Sequence, residues 1–159
     1  MGFDFTADNI FEMAEQIEKN GAAFYSEAAK NVKDESLKKL LQSLQGMELD
    51  HEKVFSQMRS SLTQKEKEAL IFDPGDEEPA YLRALADTRV FFQKKIDYSS
   101  LNDIFIFAIS AEKESILFYL GMKDFVPEKM GKNWLDSIIE EEKKHIALLS
   151  KLLLDLKKS

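Results

Sequence analysis

The sequence predicts an all-α fold: an antiparallel four-helix bundle made of two duplicated helical hairpins joined by one long crossover. Three observations predict it. Apolar residues recur in alternating steps of three and four along four long segments, the period of a core-facing helical stripe. The 159 residues include only six Gly and three Pro, so long helices can run without interruption. An offset of 94 residues also lays the second half of the chain on the first.

The first helix is expected from about Asp8 to Val32 with Asp8 as its N-cap, and the second from about Asp34 to Ser60. The third is expected from about Asn102 to Lys123. The fourth is expected to start near Pro127, a residue tolerated in a first helical turn, and to end near Leu156. Short links join helices one to two and three to four, which makes each pair an antiparallel hairpin. The chain thus reads as one domain over residues 1–159, with hairpins at 8–60 and 102–157 and a crossover at 61–100. Within the crossover, the breaker FDPGDEEP separates two short helical patterns, Thr63 to Leu70 and Ala80 to Phe92. Some forty residues far exceed a tight turn and suit a connection that runs the length of a bundle.

The repeat is visible residue by residue. Ile10, Phe11, Ala14, Glu18, Lys19, Phe24 and Tyr25 match Ile104, Phe105, Ala108, Glu112, Lys113, Phe118 and Tyr119 at the 94-residue offset. Leu41, Ser43, Glu48, His51 and Ser56 match Leu135, Ser137, Glu142, His145 and Ser150. Two copies of one hairpin packed face to face would be related by an approximate two-fold axis.

Composition removes several function classes. A net charge of -7 and a pI near 5.0 argue against nucleic acid and anionic membrane surfaces, which select clustered Lys and Arg. With no cysteine there is no disulfide, thiolate zinc site or iron–sulfur cluster, so a bound metal would rest on carboxylate, imidazole or carbonyl groups. No apolar run approaches the roughly 18 residues of a membrane span. The acidic N-terminus lacks a signal-peptide layout, and a cytoplasmic location is expected.

Chemistry concentrates at the two histidines. Each follows a glutamate by three residues, as ELDH at Glu48 to His51 and EKKH at Glu142 to His145. Glutamate is 17 of 159 residues, so chance supplies one such match about one time in nine and both about one time in ninety. Each motif also trails a glutamate by 30 residues, from Glu18 to Glu48 and from Glu112 to Glu142.

Placement along the helices carries more weight. Glu48 and His51 take core places in the seam Leu37, Leu41, Leu44, Phe55, Met58, and Glu142 and His145 do so in Leu135, Ile138, Leu149, Leu152, Leu156. Glu18 lies in the stripe Phe11, Ala14, Gly21, Tyr25, whereas Glu12 and Glu15 read as solvated. Glu112 lies in the stripe Phe105, Ala108, Ser115, Tyr119. Four carboxylates and two imidazoles therefore face one interior. Buried without partners, each such charge costs several kcal/mol, and the carboxylates repel one another. Two divalent cations remove both penalties. Tyr25 and Tyr119, seven residues after a glutamate on the same face, are read equally as core packing and as hydrogen-bond donors to the carboxylates. Phe91, Phe92 and Trp134 are read as core.

This pattern resembles the ferritin-like di-iron carboxylate superfamily and, within it, the rubrerythrin-like proteins, over Asp8 to Met58 and Asn102 to Leu156. The resemblance implies Glu18, Glu48, His51, Glu112, Glu142 and His145 as ligands, with Glu48 and Glu142 bridging. It implies two iron ions as cofactor; manganese suits the same donors, and zinc is an adventitious occupant. It further implies an oxidoreductase that reduces hydrogen peroxide or dioxygen with electrons from an external donor. An iron-binding or ferroxidase module for capture or storage is the alternative, and an oxygenase with an apolar pocket beside the metals is a third reading. The assembly is left open, with a homodimer as one option. Two departures stand out. Rubrerythrins usually carry a C-terminal rubredoxin domain with four cysteines, absent here. They also usually have a further glutamate one turn after the helix-three ligand, a place held here by Ser115.

Overall fold

The computed structural model describes residues 6–68 and 96–158, and over these the chain is an antiparallel four-helix bundle. Helix α1 spans Ala7–Asn31, α2 Glu35–Ser60, the short α3 Gln64–Glu68, α4 Leu101–Met122 and α5 Asn133–Lys158. Helix α1 packs along α2, and α4 along α5, as the short links between them require. The breaker at residues 72–79, the helical pattern from Ala80 to Phe92 and the core assignment of Phe91 and Phe92 lie outside the described residues.

The two hairpins meet through side chains of all four long helices. Tyr25, Tyr119, Phe11, Phe55, Phe118, Ile10, Ile104, Leu41 and Leu135 are fully enclosed between them. Phe55 of α2 tilts against Tyr119 of α4 with ring centroids 5.0 Å apart. The indole of Trp134 is half-buried rather than central, and it bridges Phe11 and Phe55 at 6.2 and 5.8 Å. Burial of this apolar surface holds the bundle together, at about 25 cal/mol per Å² removed from water.

Helix ends depart from expectation where local polar chemistry decides. Thr6, not Asp8, caps α1: its hydroxyl accepts from the Asn9 N–H at 3.1 Å, and the Asn9 side-chain oxygen accepts from the Thr6 N–H at 3.0 Å. Asp8 sits inside the first turn and instead accepts two hydrogen bonds from the Arg59 guanidinium, at 2.8 and 3.0 Å. That guanidinium also donates to Glu15 at 2.9 Å. Glu15 is therefore buried and paired rather than solvated, while Glu12 stays exposed. Asp34 caps α2 by accepting from the Leu37 N–H at 2.8 Å.

The largest correction falls on the fourth helix, which begins at Asn133 and not near Pro127. Pro127 leads into a single 3-10 turn, Glu128–Met130, that ends at Gly131. Gly131 has φ 67, a left-handed conformation that stops a right-handed helix and that glycine adopts without cost. The Trp134 indole N–H then donates to the Gly131 carbonyl at 3.0 Å, fixing where α5 starts.

Candidate metal centre

Midway along the bundle, one turn of each long helix turns a polar face inward. Helix α1 supplies Glu18, α2 Glu48 and His51, α4 Glu112, and α5 Glu142 and His145. All six are buried, with Glu48 and Glu112 at 0% exposure and none above 3%. Three-residue spacing puts each Glu and His of a pair on one helix face. The ligand-capable atoms fall into two overlapping groups, Glu18–Glu48–His51–Glu142 and Glu48–Glu112–Glu142–His145, each within 4.8 Å of one another. Glu48 and Glu142 belong to both. The structure thus brings together all six residues singled out from sequence.

Their orientation is specific. The Nδ1 atom of His51 faces Glu142, Glu48 and Glu18 at 3.2, 3.4 and 3.6 Å. The Nδ1 atom of His145 faces Glu142 at 3.0 Å and Glu112 at 3.3 Å. The two rings lie nearly parallel with centroids 6.2 Å apart. Both tyrosines act as donors: Tyr25 of α1 donates to Glu112 of α4 at 2.6 Å, and Tyr119 of α4 donates to Glu18 of α1 at 2.5 Å. The exchange is reciprocal, as two copies of one hairpin around a two-fold axis require. Packing and hydrogen bonding, equally weighted from sequence, both hold for these tyrosines.

The electrostatics of the side chains alone are unfavourable. Burial, and then the charges of Glu112 and Glu142, push Glu48 up to about 8. Burial also raises Glu18 and Glu112 well above the ordinary carboxylate range, with Glu48 and Glu142 adding to the effect on Glu18 and Glu142 to that on Glu112. Burial opposes protonation of His51, yet the surrounding Glu142, Glu18 and Glu48 outweigh it and hold this imidazole well above its ordinary value. His145 is raised on the same balance, chiefly by Glu142. Glu142, lying between both imidazoles, goes the other way: burial raises it, but His145 and His51 more than offset that.

These residues fit a pair of metal ions. Both oxygens of Glu48, one each of Glu112 and Glu142, and Nδ1 of both histidines are buried without a hydrogen-bond partner among the described residues. Such groups are normally satisfied, so a cluster of them aimed at one point marks a place for a cation. Oxygen and imidazole donors suit iron, manganese and zinc.

One neighbouring residue was not singled out from sequence. Glu141 of α5 reaches across to Nε2 of His51, the ring nitrogen turned away from the carboxylates. It lies outside the α5 seam and 90 positions from its partner, so periodicity carries no signal for it. Ser115, at the place of the further glutamate of the resemblance, is buried and donates to the Ala111 carbonyl of its own helix at 2.9 Å. An apolar cleft of about 390 Å³, lined by Leu37, Leu101, Phe105, Leu152 and Leu156 among others, sits at the end of the bundle and touches none of the six residues. Among the described residues no helix is long and apolar enough to cross a membrane.

Comparison with known proteins bears on the fold and the family. The structure is similar to the crystal structure of a proposed ferritin-like diiron-carboxylate protein from Thermotoga maritima. The TM-score is 0.72 at 21% sequence identity, over 96% of this chain and 97% of that one. A search of curated proteins finds no significant match. The family model for rubrerythrin matches residues 9–153, and the chain therefore belongs to the rubrerythrin family.

Proposed function

We propose that the chain is a di-iron carboxylate oxidoreductase of rubrerythrin type that reduces hydrogen peroxide or dioxygen. The observation that carries this reading is the pair of overlapping donor groups sharing Glu48 and Glu142. On this reading Glu18 and His51 would hold one ion, Glu112 and His145 would hold the other, and Glu48 and Glu142 would be available to both. When bound, two ferrous ions supply the two electrons that, with two protons, reduce one hydrogen peroxide to two waters.

The chain's own residues then bind, orient and exclude. Tyr119 and Tyr25 fix Glu18 and Glu112 through one oxygen each, leaving the other oxygen free to turn toward a cation. The Phe55 and Tyr119 rings pack together beside the cluster, on the helices that carry His51 and Glu112. Burial and the neighbouring charges of Glu112 and Glu142 favour the protonated form of Glu48 in the metal-free chain, and a bound cation would favour its carboxylate instead. An external reductase would restore the centre between turnovers.

The ferroxidase alternative keeps one specific support. Ser115 spends its hydroxyl on its own helix and offers no fifth carboxylate to the cluster. Stopped-flow mixing of the anaerobic ferrous protein with peroxide or with dioxygen separates the two. An absorbance change with continued peroxide consumption when a reductant is added is expected. A single round of iron oxidation without turnover would favour the ferroxidase, and no oxidation at all would overturn both.

A further inference from the structure

We propose that Glu141 is a positioning residue that makes the two halves of the centre unequal: by holding the outer ring nitrogen of His51, it poises the Glu18–Glu48–His51–Glu142 group to take up a divalent cation before, and more tightly than, the Glu48–Glu112–Glu142–His145 group. This rests on the two-metal reading above.

The two imidazoles are alike on their inner sides and different on their outer ones. Each turns Nδ1 toward the shared Glu142. To bind a cation there, Nδ1 must present a lone pair, so the ring proton must reside on Nε2. At His51 the Glu141 carboxylate contacts Nε2 and accepts that N–H, which selects the required tautomer, fixes the ring plane and raises the basicity of Nδ1. At His145 the Nε2 atom is buried and has no hydrogen-bond partner among the described residues. Its proton there would be both desolvated and unpaired, which opposes the ligating tautomer.

The repeat shows why the second half lacks the device. His51 of the first hairpin is held by position 141 of the second, so His145 would be held by the position matching 141 in the first. At the 94-residue offset that position is Met47, which has no carboxylate to offer. The two hairpins have kept the six inward residues alike and diverged at the one that supports an imidazole from behind.

The test is a Co(II) titration of the full chain, followed by calorimetry and by the visible absorption of the bound ion. Two resolved steps are expected in the native protein. His145→Ala should remove the weaker step and His51→Ala the tighter one. Glu141→Ala should weaken the tighter step by about 10–100-fold and leave the weaker step in place. Glu141→Gln, which keeps an acceptor oxygen but not the charge, should recover part of that loss. Met47→Glu should tighten the weaker step. Two ions bound with one affinity, or a Glu141→Ala loss falling on the step that His145→Ala removes, would overturn the inequality and leave the two-metal centre standing. No Co(II) bound by the native chain would overturn the centre itself.

Discussion

Replacing Glu142 with alanine is expected to abolish binding of both metal ions, not one. Its oxygens lie 3.2 Å from Nδ1 of His51 and 3.0 Å from Nδ1 of His145, and it belongs to both donor groups. On the proposed two-metal reading, removing it would take a ligand from each ion. Losing a residue that merely supports a metal ligand costs about 10–100-fold in affinity, so losing a shared ligand should exceed about 100-fold at each ion. Glu48→Ala should behave in the same way. Glu18→Ala should spare the ion held through Glu112 and His145. Equilibrium dialysis against Mn(II) with elemental analysis reads the difference. Glu142→Ala protein retaining one full equivalent would show that the carboxylate is not shared.

The metal-free chain should lose stability as pH rises, and the metal-loaded chain should gain it. A group whose folded pKa lies above its unfolded value holds its proton more tightly when folded. The stability it contributes is complete below the unfolded pKa and disappears as pH climbs through the folded one. Glu18, Glu48 and Glu112 are raised above the ordinary carboxylate range of about 4.3, and His51 and His145 above about 6.5. Between about pH 5 and pH 8 the three carboxylates act in this direction throughout, and the two histidines join them only above about pH 6.5. Glu142, which is lowered, loses its contribution only as pH falls below the ordinary carboxylate value, outside that window. Each proton gained or lost changes stability by about 1.4 kcal/mol per pH unit, so Glu48 alone, raised to about 8, amounts to a few kcal/mol. Cations require these groups deprotonated, so the stabilisation by metal grows across the same window. It reaches about 4 kcal/mol once metal is at a thousand times its dissociation constant. Urea unfolding at pH 5, 6.5 and 8, with chelator or with Mn(II), should give profiles of opposite slope. Parallel profiles would contradict the account.

The six inward residues were legible in the sequence because each leaves two traces. Each occupies a seam position, and each has a counterpart 94 residues away, so a buried polar residue in one hairpin is checked by its twin in the other. Tyr25 and Tyr119 left the same traces, but a tyrosine in a seam is at home there with or without a hydrogen bond, so their donor role needed the fold. Glu141 left neither trace. Its twin is Met47, and its partner His51 is on another helix. Glu15 was misread for a similar reason: one residue outside the α1 stripe it looks solvated, and only the arrival of Arg59 from the end of α2 buries and pairs it. The start of α5 was misread because proline is welcome in a first helical turn, whereas the backbone that ends the preceding 3-10 turn at Gly131 is a conformational fact that spacing does not encode.

Elemental analysis of the desalted chain after anaerobic loading with ferrous iron bears most directly on the central claim. Two iron atoms per native chain, and close to none in Glu142→Ala, is the result expected. A native chain that retains no iron, or an iron content unchanged by the loss of Glu142, would contradict it.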